Sequence, residues 1–434
     1  MGHGNETKQV IHINGGRKLS GGLKIGGAKN SILPILSACI LTKKTVVLKG
    51  CPPLLDIYSM LEIIKSMGGK AEFGNGDITV NCADVVPQRL PEGLTGALRA
   101  SVFVLGPLLS RFKQAQISFP GGCEIGLRPI DLHLDGLRSL GVNITAAEGM
   151  INCDGTGGVR AVNGCGMKSG IVNLSFPSVG ATENLMMAAV LLDGITLIKG
   201  AAREPEVEDL AEFINALGGR VFGAGTDTVM IEGVKSLGGG DYMPIPDRIA
   251  AGTYLAAAAM CGGRIRLDNI RIPHIYSIVR KLEESGCRLK LDSDSIEVVS
   301  SGALKAVSKI TTAPYPGFPT DMQPQITAML SIAGGKSEIA EKLFESRFNY
   351  IVELNKMGTD IAVNGDTAVV TGVVRRGLKG ADVKAHDLRG GAALVVAGLA
   401  ATGKTTVAGA EFIDRGYYKI ENNFAALGAD IKRI

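Results

Sequence analysis

Tryptophan is absent from the 434 residues, histidine occurs five times, and aromatic residues make up only 5% of the chain. A chain so poor in aromatics, with no basic run and a formal net charge of +4, has neither the stacking platform nor the charged stripe that nucleic acid requires. Any anion site must therefore be local. No window reaches eighteen uncharged apolar residues, and the polar stretch 1–18 lacks the apolar core of a signal peptide. The expectation is a cytoplasmic protein with no membrane association. The eight cysteines (39, 51, 82, 123, 153, 165, 261 and 287) form no C-x-x-C pair and have no histidine at zinc-ligand spacing. They read as reduced thiols, and neither a metal site nor a disulfide framework is expected.

What the chain has in excess is glycine: 59 residues, about one in seven and roughly twice ordinary usage, spread along the whole length. Six of them close a repeating pattern. An amphipathic segment ends in glycine and is followed by an alternating, strand-like run at 60–73, 134–146, 210–223, 278–291, 351–363 and 420–434. The closing glycines, 68, 141, 218, 286, 358 and 428, lie 68 to 77 residues apart. Each stands where a helix needs a left-handed residue beyond its last turn. Upstream of each copy is a more apolar helical segment, at 29–41, 98–111, 181–192, 248–261, 322–333 and 390–401. Short apolar strands follow at 45–48, 117–119, 196–198, 265–267 and 405–407. The unit is thus helix, strand, helix, strand, strand.

Six such units group as three plus three, because buried helices ringed by three sheets need three copies to enclose a core. The glycines at 238–240 with Pro244 and Pro246 separate the third unit from the fourth. The expected domains are 23–240 and, discontinuously, 1–22 plus 241–434. Within the last copy, Gly398-Leu-Ala-Ala-Thr-Gly403-Lys404-Thr405 satisfies the P-loop pattern literally. A P-loop follows a strand and opens a helix, whereas here a helical segment precedes and a strand follows, so the motif reads as a helix-to-strand turn.

Several polar residues stand at the edges of the units. Residues 119–133 read Phe-Pro-Gly-Gly-Cys123-Glu-Ile-Gly-Leu-Arg128-Pro129-Ile130-Asp131-Leu132-His, too rich in glycine and proline for a regular element. Cys123 is either a reactive thiol or a small hydrophobe under a turn. Gly26-Gly-Ala-Lys29-Asn30-Ser31 opens the first apolar helix, where backbone amides beside a lysine suit an anion. Pro-Gly-Phe-Pro-Thr-Asp321 sets Asp321 at the start of the fifth, as an N-cap or as a functional acid. Arg347, Arg389 and Arg415 follow in Phe-Glu-Ser-Arg-Phe, His-Asp-Leu-Arg-Gly and Asp-Arg-Gly-Tyr.

Taken together, the cysteine segment, Phe-Pro-Ser178-Val179-Gly-Ala-Thr, Ala202-Arg-Glu-Pro-Glu and Phe-Pro-Thr-Asp321-Met-Gln resemble the enolpyruvyl transferases, on the branch whose acceptor is UDP-N-acetylglucosamine. The resemblance runs from Leu23-Lys-Ile-Gly-Gly-Ala-Lys-Asn-Ser to Leu427-Gly-Ala-Asp. It implies two inside-out α/β barrels of three repeats each, with the active site in the cleft between domains. The implied reaction moves the enolpyruvyl group of phosphoenolpyruvate to the sugar 3-hydroxyl with release of phosphate, at the first committed step of peptidoglycan precursor synthesis, by a monomer without metal or organic cofactor. It also implies roles. Lys29, Arg128 and Arg415 would hold phosphate, Arg347 and Arg389 the carboxylate, Asp321 would act as base and Cys123 as acid. Asn30, Arg99, Pro129, Ile130, Asp131, Leu132, Ser178, Val179 and Leu343 match substrate-contacting positions. Two other functions compete: the sibling reaction on shikimate 3-phosphate, against which the cysteine segment argues, and a non-catalytic protein that binds the UDP-sugar.

Overall fold

The computed structural model describes residues 9–90, 92–119, 121, 130–147, 149–157 and 166–434. Cys123, Arg128 and Pro129 lie outside the described residues. The chain divides into two compact units, which exchange at Gly26–Gly27 and at Ile245–Pro246.

The six amphipathic segments are six helices, Leu55–Ser66, Asp131–Ser139, Pro205–Ala216, Ile272–Glu284, Ile351–Lys356 and Ile420–Ala426. Each is followed by a strand, from Lys70–Gly74 in the first copy to Asp430–Arg433 in the last. All six glycines beyond these helices have positive φ, between 86° and 94°. At Gly218, φ is 94° and a Cβ would meet nothing within 4 Å, so the backbone conformation alone calls for glycine there. Gly218→Ala is expected to cost about 1–2 kcal/mol and Gly218→Asn less, because asparagine tolerates the left-handed region. Denaturant midpoints measure both; equal losses would mean that side-chain crowding, not φ, is the cause.

The more apolar segments are also helical. In one unit Arg248–Cys261, Gln323–Leu330 and Leu388–Ala400 pack on one another, and in the other Val179–Ala189 packs on Leu105–Phe112 and on Lys29–Ala38. Small residues allow the close approach: a Cβ on Gly106 would stand 2.3 Å from the backbone oxygen of Asn184. These helices are buried on nearly every side, which explains why their sequences show little amphipathic alternation.

Among the described residues the strands form six separate sheets. Because the sheets are separate, the expected α/β arrangement appears without a closed ring of strands. Five of them share one order: an edge strand, the apolar strand after the central helix, the last strand of the repeat, and the strand after the amphipathic helix; the sixth, Gln114–Ser118, Met150–Asp154 and Asn143–Ala147, shows only the last three among the described residues. The edge strand escaped the sequence pattern. It pairs in parallel with the apolar strand, as Ile171–Asn173 does with Ile195–Lys199 and Lys309–Thr311 with Lys336–Ala340. Apart from Leu19–Lys24, the edge strands are three residues long, too few to register as alternation.

At both exchange points the chain leaves its edge strand behind. Leu19–Lys24 pairs with Gly263–Asp268, and Gly240–Tyr242 pairs with Thr45–Leu48. In the sixth repeat Ile11–Asn14, from the other end of the sequence, takes the place of the last strand, antiparallel to both Lys404–Ala408 and Asp430–Arg433. The P-loop-like stretch joins Leu388–Ala400 to Lys404–Ala408, with Gly403 at φ 90°. It is the turn its context suggested. Among the described residues no helix is long and apolar enough to cross a membrane.

Candidate active site

In the unit built from Gly27–Ile245, the proposed ligand-contacting residues cluster at helix starts. Lys29 opens its helix behind Ala28, which offers no side-chain cap. Its ammonium donates to Asp56 Oδ2 at 3.1 Å, with both side chains nearly enclosed. The cation expected to face an anion is thus balanced by a carboxylate. Two residues on, the Ser31 hydroxyl donates to Asp209, which also accepts from Tyr242 Oη at 2.6 Å and from the Ile245 amide at 3.1 Å. Burial holds the Asp209 carboxyl above the usual carboxylate range despite these donors.

Arg99 begins the 3-10 turn Arg99–Val104, Asp131 the helix Asp131–Ser139, and Ser178 caps Val179–Ala189 by accepting from the Ala181 amide. His133 ties these segments together. Its Nδ1 is 3.1 Å from Asn184 Nδ2, and its ring lies so close to Gly180 that a Cβ there would be 3.2 Å from Cε1, with Phe103 at 3.5 Å. Burial, assisted by Arg99, pushes the His133 pKa down to about 3, so the imidazole is neutral and Nδ1 accepts from the asparagine amide.

Glu183, one turn into the same helix, is 1% exposed, and neither carboxyl oxygen has a hydrogen-bond partner. Burial first, then Glu206, Glu204 and Asp209, hold its pKa well above the ordinary carboxylate value. Folded Glu183 keeps its proton where the unfolded chain has lost it, so stability declines as pH rises above the unfolded pKa, by about 1.4 kcal/mol per pH unit until the folded group ionises. Glu183→Gln, which mimics the protonated acid, is expected to melt above the parent protein. The gap should widen from pH 6 to pH 8, and a gap independent of pH would show that the proton is not the cause.

The other unit assembles three of the sequence candidates directly. Asp321 lies in the 3-10 turn Thr320–Met322, ahead of Gln323–Leu330, and that helix has no side-chain N-cap bond. The acid therefore does not act as the N-cap that its position allowed. Its Oδ1 accepts from Arg347 Nη2 at 2.9 Å, and its Oδ2 accepts from Arg389 Nε at 3.2 Å and Nη2 at 3.0 Å. The guanidinium side chains are 2% and 3% exposed, whereas Asp321 is 25% exposed. A carboxylate thus stands at the mouth of two buried, permanently charged forks, an arrangement suited to bidentate anion recognition.

Each fork has its own support. Arg347 also donates to the Thr320 carbonyl. Arg389 donates through Nη1 to Tyr417 Oη at 3.1 Å, and that hydroxyl joins Thr253 and Gln325 in a buried network. Burial would lower the Arg389 pKa, but Tyr417, Asp321 and Asp247 outweigh it and raise the value. Arg415 ends the short helix Ala410–Asp414, two positions before Tyr417. Asp56, His133 and Tyr417 were not singled out from sequence. Their types are unremarkable where they stand, and only the folded chain supplies their partners. Among the described residues, no group of three His, Cys, Asp or Glu side chains is placed to hold a metal ion.

Known proteins resemble the chain over nearly its whole length. The family model for EPSP synthase (3-phosphoshikimate 1-carboxyvinyltransferase) matches residues 13–424. UDP-N-acetylglucosamine 1-carboxyvinyltransferase 2 of Caldanaerobacter subterraneus subsp. tengcongensis is 51% identical, over 97% of this chain and 99% of its own. The UDP-N-acetylglucosamine 1-carboxyvinyltransferase of Coxiella burnetii is 44% identical, over 97% of this chain and 95% of its own. Among solved structures, the enolpyruvyl transferase NikO of Streptomyces tendae superposes with a TM-score of 0.86 at 25% identity, covering 98% of this chain and 99% of that one. EPSP synthase of Acinetobacter baumannii, with a TM-score of 0.74 at 17% identity over 98% of this chain and 100% of that one, shares the fold. From the matched span, the identity to these relatives and the sixfold architecture, the chain belongs to the EPSP synthase family of carboxyvinyltransferases.

Proposed function

We propose that this protein transfers the enolpyruvyl group of phosphoenolpyruvate to the 3-hydroxyl of UDP-N-acetylglucosamine and releases inorganic phosphate, the first committed step of peptidoglycan precursor synthesis. The observation that carries the reading is 51% identity over 97% of the chain to an enzyme named for this reaction. Asp321 between Arg347 and Arg389 supports it. The proposal includes action as a monomer in the cytoplasm, without metal, organic cofactor, nucleic acid or membrane.

In this reading Arg347 and Arg389 bind the carboxylate of phosphoenolpyruvate, and Lys29, Arg128 and Arg415 its phosphate, each cation suited to an oxyanion. Asp321 takes the proton of the 3-hydroxyl as that oxygen bonds to C2, and Cys123 gives a proton to C3. The product of addition is a tetrahedral ketal. Phosphate then leaves C2 while a proton leaves C3, which restores the double bond on the new ether. Lys29 and Arg415 count as catalytic too, because they balance charge on the departing phosphate. Asn30, Arg99, Pro129, Ile130, Asp131, Leu132, Ser178, Val179 and Leu343 contact the substrates.

The test is release of inorganic phosphate on incubation with both substrates, with NMR of the product for the enol ether. Release with shikimate 3-phosphate as acceptor instead would assign the sibling reaction, and tight UDP-sugar binding with no release would assign a non-catalytic role.

A further inference from the structure

Glu341 follows directly on the strand Lys336–Ala340 and is 4% exposed. A lone buried carboxylate is costly unless its oxygens are filled by donors, and here four donors reach it. Oε1 accepts from Thr312 Oγ1 at 2.8 Å, from the Leu343 amide at 2.9 Å and from the Phe344 amide at 3.3 Å. Oε2 accepts from Thr320 Oγ1 at 2.9 Å.

These donors belong to two segments, and each carries a residue of the candidate site. Leu343 and Phe344 lead into the turn that presents Arg347, and Thr320 immediately precedes Asp321. Arg347 closes the circuit from the other side, donating to the Thr320 carbonyl at 3.3 and 3.1 Å and to Asp321 Oδ1 at 2.9 Å. Thr320 is therefore gripped at its hydroxyl by Glu341 and at its carbonyl by Arg347. The ring runs Glu341, Thr320, Arg347, Phe344 and back to Glu341.

We propose that Glu341 is a positioning residue, whose two oxygens fix the Asp321 turn against the Arg347 turn so that base and carboxylate-binding guanidinium keep one mutual geometry. The proposal rests on the roles assigned above to Asp321 and Arg347. Glutamine can keep the ring: its amide oxygen accepts the three Oε1 donors, and its amide nitrogen donates to Thr320 once that hydroxyl turns round. Alanine deletes the ring, and aspartate is too short to span it.

The test compares Glu341→Gln, Glu341→Asp and Glu341→Ala by steady-state kinetics and thermal melting. Misplacing a catalytic group by an ångström costs about 100-fold. Glu341→Ala should lose about that in kcat/KM for phosphoenolpyruvate, with KM for UDP-N-acetylglucosamine changed little by comparison. Glu341→Asp should fall between, and Glu341→Gln should stay within a few-fold of the parent. If Glu341→Ala does not fold, Thr320→Val severs only the Oε2 arm; it should lose about tenfold in kcat at a normal melting temperature. Alanine or valine variants with parental rates would overturn the proposal, as would a glutamine variant as damaged as alanine, since charge rather than geometry would then be at work. A parent protein that releases no phosphate would bring down the assigned reaction itself and this role with it, whereas an active parent with insensitive variants refutes the positioning role alone.

Discussion

Asp321→Asn is expected to lower turnover by about 10²- to 10⁴-fold, the usual contribution of a positioned general base, while leaving the fold and UDP-sugar binding in place. The amide has nearly the shape of the carboxylate but cannot take a proton from the attacking hydroxyl. It also answers only one of two guanidiniums. Asparagine can accept from Arg347 or from Arg389 through its oxygen, but its nitrogen then points N–H donors at the other fork, whereas Asp321 offers Oδ1 to Arg347 and Oδ2 to Arg389. A small loss of melting temperature should accompany the loss of rate. Calorimetry with UDP-N-acetylglucosamine and a phosphate-release assay separate the two effects. A near-parental rate with a lowered melting temperature would reduce Asp321 to a strut between two arginines and remove it from the chemistry.

The second large effect is expected at Cys123. If its task is to give a proton to C3, a carboxylic acid can replace the thiol, whereas a serine hydroxyl is far too weak an acid. Cys123→Asp should therefore keep measurable transfer, and Cys123→Ser should lose nearly all of it, by about 10²-fold or more. The remaining thiols sharpen the labelling test. Cys39, Cys51, Cys82, Cys153, Cys261 and Cys287 are all buried. Burial pushes Cys51, Cys82 and Cys153 up to about 12 and Cys287 up to about 11, and it raises Cys39 as well. At neutral pH these groups are thiols, not the thiolates that attack electrophiles. The epoxide fosfomycin, which the family resemblance implies as an alkylating inhibitor, is expected to add mass at Cys123 and leave those six unmodified, and Cys123→Asp should resist it. Loss of activity with the adduct on Cys165 or on a buried thiol, and Cys123 untouched, would overturn the role given to Cys123.

The repeat was legible in the sequence because it rests on local physics. A helix that must turn into a strand needs a left-handed residue after its last turn, glycine adopts that conformation without strain, and six glycines at near-constant spacing therefore count the units. Alternation marked the half-buried strands, and all-round apolarity marked the central helices, since both patterns depend on neighbours a few residues apart. The same locality explains why the P-loop motif could be dismissed: order along the chain is enough to show a helix before it and a strand after.

Long-range pairing lay beyond that reach. Nothing in Ile11–Asn14 states that it completes a sheet with residues some four hundred positions away, because hydrogen bonds between strands carry no sequence signature of their partner. The site divides in the same way. Asp321, Arg347 and Arg389 could be named from the segments around them, yet that one carboxylate is gripped by two buried guanidiniums, that Lys29 is balanced by Asp56, and that Tyr417 and Glu341 stand behind the arginines were decided by tertiary structure. Charge compensation and burial depend on which side chains fold to within about 3–4 Å of one another, and that distance is a property of the packed chain, not of any stretch of it.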